Sequence, residues 1–375
     1  MQNNDLEILQ CVDCNGELKL KHSEIVGGVI INGLLKCLSC ERSYPVIDEV
    51  GVFFKKEYFN YFITEWEIEK IKKLGYWEIL KNLNSNKKDK CTDKVKRQVK
   101  VAKNWEYQHE NVYNWEQDIA TERFHGKKLF WKFIPIEPAS VKGKTVYAAC
   151  VGRGKEAYHV LQEGPYKVIA NEIGAEVYTI TNILKKRRKD LIVLRYDITY
   201  PPLKPQMADI AICDHALQHV SDHKLAFKKL VENLKENGTI SICVYSYENN
   251  FLMTHLIEPI KHILNHFPLW FVRGLAFLPA LIIYLMINFI YLPFSKICPN
   301  LAEFLPLYKH MIFWSTSSLK LVWCSCFDLM HAPISYHFRK EEVDSLAASN
   351  GLEIVSLKNT HGTTWSLVAK KSGKI

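Results

Sequence analysis

Two cysteine pairs open the chain, Cys11-x-x-Cys14 and Cys37-x-x-Cys40, with 22 residues between them. Each pair can turn both sulfurs toward one ion at about 2.3 Å, and four thiolates leave no position for water, the donor set of a structural zinc site. A second constellation lies further along. Gly152-Arg-Gly154 follows the apolar stretch 146–151, Glu172 ends a second apolar stretch, and Asp197-Ile198 follows a third. Two glycines let backbone approach a ligand closely, and a carboxylate roughly 20 residues later can accept both hydroxyls of a ribose. An Asp at the third tip can accept from an adenine amino group while Ile198 packs on the ring. The fourth stretch runs into Asp214-His-Ala-Leu-Gln-His-Val220. His219 is the candidate general base there, with Asp214 and His215 behind it. The competing reading of His219 is a side chain that only shapes the pocket. Group transfer depends first on in-line placement of the nucleophile, so a base is optional.

These groups need a frame to hold them. From residue 144 the chain alternates short apolar stretches (146–151, 167–171, 191–195, 208–213, 239–245) with amphipathic ones (155–162, 222–234), the pattern of a parallel sheet with helices on both faces. Around the cysteines, 17–21 and 28–35 read as short strands turned at Gly27-Gly28 and Asn32-Gly33. A β-ribbon of about 50 residues has little core, which is why a metal staple is expected. Residues 56–140 form a linking region with helical spacing at Trp66, Ile68, Ile71, Leu74 and Trp77. Eight Lys or Arg between 87 and 103 face only Asp89 and Asp93, and Trp105, Tyr107, Tyr113 and Trp115 follow. A solvated helix face is the bland reading of that basic run, and contact with RNA or lipid phosphates the sharp one.

The stretch Leu35-Lys-Cys-Leu-Ser-Cys-Glu-Arg-Ser-Tyr-Pro-Val-Ile-Asp48 with Gly51-Val-Phe resembles the small zinc-ribbon domain of tRNA-methyltransferase activator subunits, which is also found fused to methyltransferases. Residues 144–247, together with Gly351-Leu-Glu-Ile-Val-Ser-Leu357 and Thr364-Trp-Ser-Leu-Val-Ala-Lys370, resemble the class I S-adenosylmethionine-dependent methyltransferases. The resemblance implies an α/β fold: a Rossmann-like seven-stranded methyltransferase sheet with helices on both faces, its last strand antiparallel, plus the zinc ribbon and a helical apolar insertion. It implies cofactor contacts at Gly152, Gly154, Glu172 and Asp197, joined by Ile198 and Asp214. One departure stands out, since Ala148 occupies the family's usual acidic position and Cys150 that of its first loop glycine. Residues 101–115 resemble a segment that covers the cofactor in related enzymes. Phe327-Asp-Leu-Met-His-Ala-Pro333 through Tyr336-His-Phe-Arg-Lys-Glu-Glu342 resembles the Asp and Pro motif ahead of the last helix in ribbon-bearing bacterial methyltransferases and is expected to fold back toward the site.

The resulting division is a zinc ribbon over 1–55, a helical linker and cofactor lid over 56–140, the methyltransferase core over 141–250, an apolar helical insertion over 251–335, and the last helix with two strands over 336–375. The insertion holds nineteen uncharged residues, 274–292, enough for a membrane span by length. A single crossing is topologically forbidden, because the last two strands must return to the sheet that the insertion leaves. Only an even number of crossings is permitted, so a substrate lid, a helical hairpin or monotopic face dipping into the membrane through 251–294, and true spanning stay open. With no apolar leader at residues 1–10, cytosolic residence is expected, with membrane association as its alternative. Hydrophobic content of 48% in 375 residues excludes a mainly disordered chain, and the eleven cysteines read as metal ligands or buried apolar residues before disulfides. The expected cofactors are S-adenosylmethionine and structural zinc. The expected activity is methyl transfer to a small-molecule, glycan or lipid acceptor. An RNA acceptor and an inactive methyltransferase-like scaffold are the rivals.

Overall fold

The apolar stretches become strands because each is covered on both faces: Leu191–Arg195 and Lys167–Glu172 are buried at every position, which suits a parallel sheet flanked by helices. The structure, a computed structural model, describes residues 1–40, 42–81, 92–112, 115–118 and 126–373. Lys87, Lys88 and Lys90 of the basic run, and Tyr113, lie outside the described residues. The strands are β1 (Leu18–Val26), β2 (Val29–Cys37), β3 (Ser43–Ile47), β4 (Val50–Val52), β5 (Thr145–Ala149), β6 (Lys167–Glu172), β7 (Leu191–Arg195), β8 (Ala208–Asp214), β9 (Leu234–Tyr245), β10 (Leu352–Thr360) and β11 (Thr364–Lys371). They form one sheet in the order β1-β2-β3-β4-β7-β6-β5-β8-β9-β11-β10.

The α/β class is as expected, but the sheet has eleven strands rather than seven. The difference has a local cause. β4 pairs in parallel with β7, Val50 opposite Val193 and Val52 opposite Arg195, so the four ribbon strands extend the edge of the seven. Val50 and Val52 are wholly buried, as their unpaired edge would not be in a free-standing ribbon. Leu9, Cys11, Leu35, Cys37 and Tyr44 share one apolar cluster with Ile169, Ile192 and Leu194 of the central strands.

Helices position the rest. α1 (Glu65–Lys73) starts on a capping box in which the Thr64 side chain and Glu67 satisfy each other's backbone. α2 (Asp93–Asn111) carries the described part of the basic run. α3 (Lys155–Leu161) follows β5, and α4 (His223–Asn233) is capped by Asp222, which accepts from Leu225 N at 3.1 Å. The insertion contributes α5 (Glu258–Leu264), α6 (Leu269–Met286) and α7 (Leu319–His331), and α8 (Lys340–Ala348) leads back to β10. α6 runs on through a π-helical turn, Ile287–Tyr291, into Leu292–Ile297. Val272, Ala276 and Ala280 recur every four residues on α6 and meet Val322, Cys326 and Phe327 of α7. The Trp323 indole donates to the Arg273 carbonyl at 2.8 Å.

Candidate functional site

Parallel pairing of β5 with β6, from Thr145 opposite Lys167 to Ala149 opposite Asn171, brings the two strand tips side by side. The Glu172 carboxylate then accepts from Gly152 N at 2.8 Å and from Ile173 N at 2.7 Å. Burial, reinforced by the nearby Glu176, pushes the Glu172 pKa up to about 7. Gly152 adopts φ +52°, and a Cβ there would lie 2.7 Å from the His109 ring, so α2 rests directly on the glycine turn. His109 Nδ1 is held 2.8 Å from Glu176 Oε1.

These tips face a cavity of about 640 Å³. Gly152, Glu172 and Asp214 lie at the strand ends, Trp105 and His109 of α2 form a wall, and Ile283, Met286 and Tyr291 close it from the insertion. Gly154, Asp197 and Ile198, expected at the cofactor, do not line it. Gly154 caps α3 at φ +88°, where a Cβ would press on Ile180 at 3.0 Å, which is a packing reason for glycine. The Asp197 carboxylate is engaged by the Thr199 backbone N at 2.9 Å and hydroxyl at 2.7 Å. Ile198 is buried in the core on the ribbon side.

His219 does line the cavity, but not as a ready base. Its Nδ1 donates to the Ile334 carbonyl at 2.6 Å, Trp105 and Tyr245 rings pack against it, and burial pushes its pKa down to about 3. Asp214 Oδ1 sits 2.6 Å from His215 Nδ1, and His215 Nε2 lies 3.4 Å from Cys243 Sγ. Burial opposes charge on His215, yet Cys243 and Asp214 outweigh it and hold its pKa well above the usual value. Cys243 is wholly buried and does not line the cavity, which fits a packing residue better than a nucleophile.

One group entered the sequence reading only as part of a motif, with no role of its own. Asp328 on α7 lines the cavity, its Oδ1 has no hydrogen-bond partner among the described residues, and burial pushes its pKa up to about 7. The motif around it was expected to fold back to the site, and the signal for the residue itself is the one carboxylate of a mostly apolar helix. α7 is tied to α2 by the Asn104 amide, which donates to the His331 carbonyl at 2.7 Å, and by the His331 ring against Gln108.

The four ribbon cysteines converge with all sulfurs within 4.8 Å of one another; the Cys11–Cys40 and Cys14–Cys37 contacts are 3.5 Å. A tetrahedral zinc–thiolate site needs sulfurs about 3.8 Å apart, so the donor set fits the metal. The Tyr44 hydroxyl lies 3.0 Å from Cys11 Sγ, and Arg42 pairs with Asp13 at 2.8 Å behind it, the kind of outer layer that orients metal ligands. Gly16 is required here, because a Cβ would sit 2.9 Å from Cys37 Sγ. Cys324, Cys326, His331 and His337, a second set that sequence alone could offer to a metal, do not form a comparable group among the described residues. Among the described residues the second metal-capable cluster is Asp214, His215 and Cys243.

Comparison with known proteins places these parts. Residues 148–242 match the methyltransferase domain family, and residues 6–49 match the Trm112p-like protein family. Among solved structures, the chain is similar to the complex between the Haloferax volcanii Trm112 methyltransferase activator and a putative methyltransferase, at 12% identity over 72% of this chain and 99% of that one, TM-score 0.44. It is similar to the pyocyanin biosynthetic protein PhzM at 12% identity over 65% of this chain, TM-score 0.38, and spans about half (54%) of PhzM's length. A putative methyltransferase of Bacillus halodurans matches at 11% identity over 65% of this chain and 99% of that one, TM-score 0.39. No curated protein matches the chain.

Proposed function

We propose, from the premise that the chain carries a methyltransferase domain behind a Trm112p-like domain, that it transfers a methyl group from S-adenosylmethionine to an amphipathic acceptor of small-molecule, glycan or lipid type. The observation that carries this reading is the Glu172 carboxylate held 2.8 Å from Gly152 N at the mouth of a cavity that continues beneath apolar helices. A bound nucleoside would find there a carboxylate for its ribose hydroxyls, beside a glycine turn that the His109 ring of α2 covers. The sulfonium of that cofactor supplies an electrophilic methyl carbon. The protein's own residues do the rest. Trp105 and His109 exclude water from the strand tips, and Asp328 Oδ1 is free to take a proton from an acceptor hydroxyl or amine near pH 7. His219 orients the pocket through its bond to Ile334 rather than accepting the proton. Cys11, Cys14, Cys37 and Cys40 hold a structural zinc ion.

Titration calorimetry of the zinc-loaded full chain with S-adenosylmethionine tests this. We expect saturable binding by the unaltered chain and its loss in Glu172→Ala. No binding by the unaltered chain would leave only the scaffold reading, for which Ala148 and Cys150 are the motive. RNA binding with a steep salt dependence would move the acceptor to nucleic acid.

A further inference from the structure

The insertion leaves a face that the methyl-transfer chemistry does not use. Of the 28 exposed large hydrophobic residues among those described, 19 lie between Phe251 and Leu307, and Phe289 and Phe304 are 75% and 86% exposed. Soluble monomers rarely show an apolar surface so concentrated. Those 57 residues carry five charges: Glu258, Lys261, Arg273, Lys296 and Glu303. Lys261 is buried against Glu258 at 2.6 Å, and the Arg273 guanidinium stacks over Trp323, so three of the five are spent inside the protein. The long helix Leu269–Ile297 has 29 residues and is only 22% buried over its most apolar stretch, unlike a core helix.

We propose that this face seats the molecule on an anionic lipid bilayer, lying in the interface without crossing it. Two observations select this occupant. The first is charge: Lys96, Lys100 and Lys103 recur at helical spacing on α2 and are exposed, and Lys100 Nζ donates to the Asn265 carbonyl at 2.6 Å in the turn between α5 and α6. Through Lys100 the basic stripe thus meets the turn that leads into the exposed Phe267, Trp270 and Phe271, the pairing of cation and aromatic that headgroups above hydrocarbon attract. The second is topology. Both ends of the insertion join one sheet, and the neighbour that α6 packs on, α7, has 13 residues, about 20 Å of helix against a hydrocarbon core of about 30 Å. Among the described residues a return crossing therefore has no helix long enough, and the apolar helix lies flat. Ile283, Met286 and Tyr291 on that same helix also close the cavity, so the seat and the site share a wall.

The experiment is co-sedimentation of the zinc-loaded full chain with phosphatidylcholine vesicles, with or without one quarter phosphatidylglycerol. It is read without cofactor, so its outcome is separate from that of the methyl-transfer reading. We expect the chain to pellet with vesicles, at least about tenfold more tightly when they are anionic. Trp270→Asp/Phe289→Asp should abolish pelleting on both, and Lys96→Glu/Lys103→Glu should erase the preference for anionic vesicles. Circular dichroism melts unchanged from the parent show that the variants fold. The proposal is overturned if the unaltered chain stays in the supernatant, or if the folded Trp270→Asp/Phe289→Asp variant pellets undiminished. It is equally overturned if sedimentation velocity without lipid shows a dimer that this variant dissolves and vesicles do not compete away, since the face then belongs to a second copy of the chain.

Discussion

The ribbon and the insertion are both additions to the seven core strands, and they attach in opposite ways. The ribbon joins through backbone: β4 is hydrogen-bonded in register to β7, and Phe53 N donates to the Arg195 carbonyl at 2.9 Å just beyond. Its apolar side chains vanish into a cluster shared with the central strands. The insertion contributes no strand. It is held by side chains, α6 on α7 and α7 on α2, and its outer helix stays exposed. An element welded along a sheet edge has no freedom to present a surface, whereas one held by side-chain packing on its inner side keeps an outer face to offer. The first extends the scaffold and the second closes the site.

That contrast breaks most visibly on metal removal. Structural zinc contributes folding free energy on the order of 10 kcal/mol, comparable to the whole stability of a domain. Because β4 and β7 share a ladder, stripping the metal with a chelator, or Cys14→Ser with Cys40→Ser, should lower the thermal transition of the core sheet and not of the ribbon alone. Two separate transitions in calorimetry would show that the weld does not transmit. A smaller effect is expected at the joint between linker and sheet. Arg195 is buried, pairs with Glu67 of α1, and donates to the Phe62 carbonyl at 2.7 Å and the Ile173 carbonyl at 3.1 Å. Arg195→Leu leaves Glu67 as an unpaired buried charge and should cost about 3–5 kcal/mol in urea denaturation. Glu67→Gln keeps the shape but turns one acceptor oxygen into a donor and leaves buried Arg195 without its counter-charge, so it should cost a comparable amount.

What could be read ahead of the structure follows the same division. Strands β5 to β9 were legible because both-face burial forces continuous apolar runs, and the place of Glu172 beside the glycine turn was legible because parallel pairing makes strand tips coincide. The cysteine spacing carried its own geometry. The edge pairing of β4 was hidden, since Val50-Gly-Val52 has no pattern that names its partner. Asp197 was placed by rule at the third tip, but Thr199, two residues on, captures its carboxylate. His219 has the right residue type, yet its base strength depends on burial and on the Ile334 carbonyl, 115 residues away in sequence. Asp328 was obscure for the converse reason: a lone carboxylate on an apolar helix gains meaning only when α7 turns it into the cavity.

Asp328 also gives the finest probe of the contrast, because it is the point where the side-chain-held insertion reaches the chemistry. Its pKa in the folded chain is raised to about 7, against roughly 3.9 when unfolded. A carboxyl raised in this way contributes its stability fully below about pH 4, and loses it as pH rises toward 7 and the buried charge forms. Asp328→Asn removes that charge, so it should leave stability unchanged below pH 4 and make the folded chain more stable than the parent above pH 7, by roughly 1–2 kcal/mol once solvation from the cavity is allowed for. Activity should move the other way, falling about a hundredfold and losing the rise through pH 7 that a titrating base imposes. A variant that gains stability at high pH but keeps the parent's rate and pH profile would make Asp328 a pocket wall and return the proton to the acceptor or to water.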